Sequence, residues 1–201
     1  MQDIDSALLI IDVQNDFCPD GHLAVNDGHS IIQGINQRAR QAHCVVLTQD
    51  WHPENHHSFA ASHANRAPFD QIDMAYGQQT LWPDHCVAGS IGAEFHPDLE
   101  IGHADLIIRK GFRPHIDSYS AFFENDRVTP TGLEGYLRCR GINKITLVGL
   151  ATDFCVKFSA IDAARLGFDV TVELALCRAI DLDGSLNSAI QEMTDAGIKL
   201  I

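Results

Sequence analysis

The chain is poor in positive charge: 14 Lys and Arg face 27 Asp and Glu, a formal net charge of −13. A surface of that sign repels phosphate backbones and anionic lipid, which argues against nucleic acid and membranes as partners and favours a neutral or cationic small molecule. Long apolar runs are also missing. The best, such as Ala7–Ile11, falls far short of the ~20 residues a helix needs to cross a bilayer. Met-Gln-Asp-Ile-Asp at the start has neither the basic opening nor the apolar core of an export signal. Cys18, Cys44, Cys86, Cys139, Cys155 and Cys177 include no C-x-x-C pair and follow no disulfide spacing, so reduced thiols in the cytoplasm are the expectation. Phosphate-binding glycine fingerprints are absent too, because Gly149-Leu-Ala-Thr-Asp lacks the later glycine and the basic residue. No G-x-S-x-G elbow occurs, which removes that route to a serine nucleophile.

What is present is an ordinary globular composition, 45% hydrophobic and 20% charged, over a length that suits one domain spanning residues 1–201. Short apolar runs at Ala7–Val13, Cys44–Thr48, Asp105–Ile108, Lys144–Val148 and Asp169–Leu174 have the character of strands buried on both faces. Helical spacing separates them. Ile31, Ile32, Ile35 and Ala39 share one stripe; Val156, Ala160, Ala163 and Ala164 share a second; Leu186, Ile190 and Met193 mark a third. Thr131-Gly-Leu-Glu134 reads as a capping box ahead of Leu133, Tyr136 and Leu137. The alternation predicts an α/β fold: an open, mostly parallel sheet with helices on both faces. In such sheets ligands bind beyond the carboxyl ends of the strands, where Asp12, Asp50, Lys110 and Ala151 fall. Residues 50–104 break the rhythm, and a loop of that length inside one domain is commonly functional.

Four groups could carry chemistry. Cys155 in Leu150-Ala-Thr-Asp-Phe-Cys155 falls where a strand ends and a helix opens, and unpaired N–H groups there lower a thiol pKa and can receive an oxyanion. A buried, inert packing cysteine fits the same pattern. Asp12 closes the first strand and could exchange a proton with a thiol and a leaving amine, although a turn role is equally open and Asp16 suits the turn itself. Lys110 is either a solvated strand end or the counter-charge to Asp12. Finally, Asp50-Trp-His52, His56, His57 and Trp82-Pro-Asp-His85 supply carboxylate and imidazole donors that suit zinc, iron or manganese.

Taken in order, Ile11-Asp-Val-Gln-Asn-Asp-Phe-Cys18, Thr48-Gln-Asp-Trp-His-Pro-Glu-Asn-His56, Ser58-Phe59, Leu81-Trp-Pro-Asp-His-Cys86, Lys110-Gly111, Asp117-Ser-Tyr-Ser-Ala-Phe122 and Val148-Gly-Leu-Ala-Thr-Asp-Phe-Cys-Val156 resemble the nicotinamidase/pyrazinamidase family, within the cysteine-hydrolase group that includes the isochorismatases. The resemblance implies a triad of Asp12, Lys110 and Cys155. It also implies an oxyanion hole from the backbone N–H groups of Ala151 and Cys155, beside a cis Leu150–Ala151 peptide. One divalent metal, zinc ahead of iron or manganese, would be held by Asp50, His52 and His85. A fourth ligand would come from His56, His57 or water. Phe17, Trp82 and Tyr119 would line the substrate pocket, with Phe154 as a further wall. By the same resemblance the substrates are nicotinamide and pyrazinamide, cleaved to acid and ammonia in NAD salvage; the sequence itself leaves a homo-oligomer open, with no coiled coil or apolar surface stripe to announce one.

Overall fold

The five apolar segments all become strands of one sheet. The computed structural model describes residues 4–201. In chain order its regular elements are β1 (Ser6–Ile11), α1 (Ile32–Ala39), β2 (Val45–Asp50), β3 (Gln71–Met74), β4 (Gly77–Thr80), β5 (Leu106–Lys110), α2 (Leu133–Cys139), β6 (Lys144–Leu150), α3 (Lys157–Arg165), β7 (Asp169–Arg178), α4 (Ser185–Asp195) and β8 (Lys199–Leu200). The sheet order is β5-β2-β1-β6-β7-β8, with every neighbouring pair parallel. From β1 the chain winds outward through β2 to β5, then returns to the other side of β1 and winds through β6, β7 and β8. The direction therefore reverses between β1 and β6, and that crevice is where such sheets bind ligands.

Both sheet faces are covered. Leu8 and Ile10 of β1 and Val45 and Leu47 of β2 pack with Ile32, Ile35 and Ala39 of α1. Ala7, Leu9 and Ile11 point the other way, into a cluster with Leu133 and Leu137 of α2, Ala160 and Ala163 of α3, and Ala189 and Met193 of α4. Successive β1 residues alternate between the two cores because strand side chains alternate faces. Each fully buried Ile or Leu contributes roughly 1.5–3 kcal/mol of transfer free energy. Ile35, Leu9 and Leu133 are all within that class. Gly149, at φ 118°, lets β6 run close to β1, since a Cβ there would lie 2.2 Å from the Ile11 carbonyl oxygen.

Three local expectations are corrected. Thr131 and Glu134 do not close a capping box: the Thr131 hydroxyl accepts Leu133 N–H and donates to the Ala121 carbonyl, while Glu134 pairs with Arg138. The segment that carries Cys155 enters α3 through a wide π-turn over Thr152–Val156 rather than as an ordinary first turn. Residues 50–104, where no strand was apparent, contain the antiparallel hairpin β3–β4. Its strands are four residues each and carry mixed polarity, so neither period is readable in them.

Candidate active site

Four adjacent strands deliver four groups to one edge. Lys110 ends β5, Asp50 ends β2, Asp12 follows β1 and Ala151 follows β6. Asp50 and Lys110 are register partners. The Leu150–Ala151 peptide is cis. Asp12 takes φ 45°, which turns its carboxylate under the neighbouring strand. There the Thr48 hydroxyl donates to Asp12 Oδ1 at 2.6 Å and accepts the Asp12 backbone N–H at 3.1 Å.

Lys110 is no solvated strand end. Its side chain is 1% exposed. Nζ lies 2.8 Å from Asp12 Oδ2, 2.5 Å from Asp50 Oδ1, 2.9 Å from the Ser118 carbonyl and 3.5 Å from Cys155 Sγ. Burial works against the ammonium, but Asp12 and Asp50 outweigh it and hold its pKa well above the lysine range. Asp12 is pushed the other way. Burial raises its carboxyl despite Lys110, and Asp50 raises it further. Cys155 Sγ falls within 4.8 Å of carboxylate oxygens of both Asp12 and Asp50.

The thiol pKa corrects the expectation from the turn alone. Burial raises Cys155 well above the thiol range; Lys110 lowers it, and the charges of Asp12 and Asp50 raise it again. Desolvation and the two carboxylates therefore oppose the thiolate at this turn. In this setting the sulfur keeps its proton at rest.

Beside this cluster, donor atoms of Asp50, His52 and His85 lie within 4.8 Å of one another, all buried. His52 Nδ1–H donates to the Gly111 carbonyl at 2.8 Å and His85 Nδ1–H to the Pro83 carbonyl at 2.8 Å, so both Nε2 lone pairs are free. His52 Nε2 stands 3.7 Å from Asp50 Oδ2. Burial, with the neighbouring His52, lowers His85 to about 4, which leaves it neutral and able to ligate. Two fixed imidazoles, one carboxylate and a buried cluster with more acids than bases fit a divalent metal.

His56 does not extend this set. Its Nε2–H donates to the Arg113 carbonyl at 2.9 Å and its Nδ1 accepts from Ser58 Oγ at 2.7 Å, so both ring nitrogens are engaged. His57 is turned away, toward His63 and His115. Asp16 settles as a structural residue: it accepts Cys86 N–H at 2.7 Å, His22 N–H at 3.1 Å and the His22 ring at 2.8 Å.

Over the thiol and the donors lies a narrow cleft between Phe17, Trp82, Tyr119, Phe154 and Ile180, with a free volume of about 20 Å³. Trp82 meets Phe154 edge-on at 4.9 Å, and Phe17 flanks His85 at 5.5 Å. Sequence reasoning missed the residues that hold these walls. Tyr119 Oη accepts from Trp82 Nε1 at 3.1 Å and from Gln79 Nε2 at 2.9 Å, and Gln79 Nε2 also reaches Asp117 Oδ2 at 2.7 Å. Gln79, on β4, is 1% exposed and Asp117 is 2% exposed. Nothing in a short polar segment announces that it will be buried.

A parallel α/β sheet with a buried Asp–Lys–Cys cluster at its switch point defines a cysteine-hydrolase architecture. An isochorismatase domain model matches residues 6–201. A nicotinamidase from Acinetobacter baylyi is 53% identical over 195 residues, covering 97% of this chain and 91% of the relative. The solved structure of an Acinetobacter baumanii nicotinamidase/pyrazinamidase superposes with a TM-score of 0.99 at 55% identity, covering 100% of this chain and 97% of that one. A Pyrococcus horikoshii pyrazinamidase solved in complex with zinc gives a TM-score of 0.78 at 34% identity, over 98% of each chain. The chain belongs to the isochorismatase-domain hydrolases, within the nicotinamidase family. It is an amide-hydrolysing enzyme.

Proposed function

We propose that this enzyme hydrolyses nicotinamide, and pyrazinamide with it, to the carboxylic acid and ammonia through a thioester on Cys155. The observation that carries the reading is the adjacency of the Asp12–Lys110–Cys155 cluster to the Asp50–His52–His85 donors in one small aromatic-walled pocket. A planar pyridine ring would enter between Phe17, Trp82 and Tyr119 as these side chains move apart, with its carboxamide toward Sγ. When bound, a divalent metal supplies a Lewis-acid contact for the ring nitrogen and so orients the amide; zinc leads, with iron or manganese as alternatives. Asp50, His52 and His85 would hold it, with water completing the sphere.

The chain's own groups do the rest. Asp12, its basicity raised by burial, takes the thiol proton as Sγ attacks the carboxamide carbon. Backbone N–H groups of Ala151 and Cys155 receive the oxyanion. Asp12 then returns the proton to the departing nitrogen, which leaves as ammonia. A water, deprotonated by the same carboxylate, attacks the thioester carbon, and the acid departs as Sγ regains its proton. Lys110 keeps the two carboxylates and the sulfur within reach of one another throughout. Six unpaired thiols support a reducing, cytoplasmic setting, and none of the described helices is long and apolar enough to cross a membrane. In that setting the reaction serves NAD salvage.

The test is ammonia release from nicotinamide before and after chelation and re-addition of zinc, iron or manganese. Turnover should fall and return. Cys155→Ala should remove it while the protein still binds metal. Ordinary turnover by Cys155→Ala overturns the mechanism. No ammonia from metal-loaded wild type overturns the substrate.

A further inference from the structure

Of the histidines that this chemistry leaves unused, His57, His63 and His115 stand together. His57 and His115 bring their Nδ1 atoms to 3.3 Å, with ring centroids 4.4 Å apart and planes crossing at 74°. That separation is at the long end of the hydrogen-bond range for two ring nitrogens. It matches the edge of a tetrahedron: two nitrogens each about 2.0–2.1 Å from a zinc ion stand roughly 3.3–3.4 Å apart. His63 lies beside them, its ring 6.2 Å from that of His57. His63 Nε2–H donates to the His57 carbonyl at 2.8 Å, which leaves the His63 Nδ1 lone pair free. The backbone fixes the arrangement, since His57 N–H donates to the Pro114 carbonyl at 2.9 Å and so holds the two loops together. His115 is exposed and His57 and His63 are half-buried, so solvent can fill the remaining positions of an ion.

We propose that His57 and His115, with solvent in the remaining positions, form a second, surface site for a borderline transition cation such as Zn²⁺, separate from the buried Asp50–His52–His85 donors. Nitrogen-only donors select against magnesium and calcium, which prefer oxygen. An ion here joins His57 to His115 across the two loops. His56, which donates to the Arg113 carbonyl, lies under the same junction. The site therefore fastens the loops flanking the pocket without touching the reacting groups.

The test is equilibrium dialysis of wild type already carrying one zinc per chain against free Zn²⁺ at pH 7.5. Two equivalents per chain should bind, the second more weakly. His115→Ala and His57→Ala should each return the count to one, and His43→Ala, an exposed histidine outside this cluster, should keep two. At one zinc per chain, His115→Ala should release ammonia from nicotinamide at the wild-type rate. At pH 5.5 the second equivalent should be lost, because the imidazoles must be neutral to ligate. A wild type that saturates at one equivalent, or a His115→Ala variant that still binds two, overturns the site.

Discussion

Lys110→Met replaces the buried ammonium with an apolar side chain of similar length. It removes contacts at 2.8 Å to Asp12, 2.5 Å to Asp50 and 2.9 Å to the Ser118 carbonyl. Two carboxylates that are 0% and 4% exposed are then left without their shared cation. Removing one partner of a buried ion pair costs about 3–5 kcal/mol, and a protein of this size loses roughly 2–4 °C of Tm per kcal/mol, so a fall of about 6–20 °C is expected. Thermal unfolding of chelator-treated protein measures it, because a bound metal would itself neutralise Asp50. Without the ammonium both carboxyl pKa values rise, and a carboxyl raised above its unfolded value destabilises at high pH and is relieved as pH falls through the folded pKa. The gap between wild type and variant should therefore be widest at neutral pH and narrow on acidification. Lys110→Met/Asp12→Asn should recover part of the loss, since it removes one stranded charge. A Tm within about 2 °C of wild type, which at that conversion is under about 1 kcal/mol, or a gap independent of pH, would refute the claim that Lys110 neutralises both acids.

Other expectations follow from the same geometry. In Gly111→Ala the new Cβ would sit 2.4 Å from His52 Cε1 at a backbone φ of 67°, so His52 must shift; metal affinity by chelator competition should weaken about 10–100-fold, as for loss of a ligand's supporting hydrogen bond. Unchanged affinity would mean the His52–Gly111 contact does not orient the ligand. Gln79→Leu removes the donor shared by Asp117 and Tyr119, at a cost of about 1–3 kcal/mol, and should raise KM for nicotinamide more than it lowers kcat. A fall in kcat alone would place Gln79 in the chemical step instead. Asp16 is buried, which opposes its charge, yet hydrogen bonds from His22 and Cys86 win and lower its pKa. Its stabilisation is thus present above the ordinary aspartate range and lost as pH falls through the lowered value. Asp16→Asn should lower stability in urea at pH 7 by about 1–3 kcal/mol, with the difference closing in acid; equal stability at pH 7 would contradict it.

Five strands and the helices between them were legible because their signal is local. A strand buried on both faces must be apolar throughout, and a helix on a sheet must repeat its apolar stripe. Strand ends likewise marked where Asp12, Asp50, Lys110 and Ala151 would meet, because a parallel sheet gathers its carboxyl ends at one edge. Other properties belong to the tertiary structure. Six histidines stand between residues 52 and 96. Of these only His52 and His85 converge with Asp50, while His56 is consumed by backbone carbonyls and His57 faces outward. Cys155 sits at a helix entrance that favours a thiolate, yet burial beside Asp12 and Asp50 drives its pKa upward. Gln79 and Asp117 are ordinary polar residues in sequence and become buried supports of the pocket once β3–β4 folds over it. Periodicity is carried by neighbours a few residues apart and can be read from the chain. Electrostatics, ligand convergence and polar burial depend on groups from 35 residues apart in sequence, as for Asp50 and His85, to 143 apart, as for Asp12 and Cys155, and only the closed fold decides them.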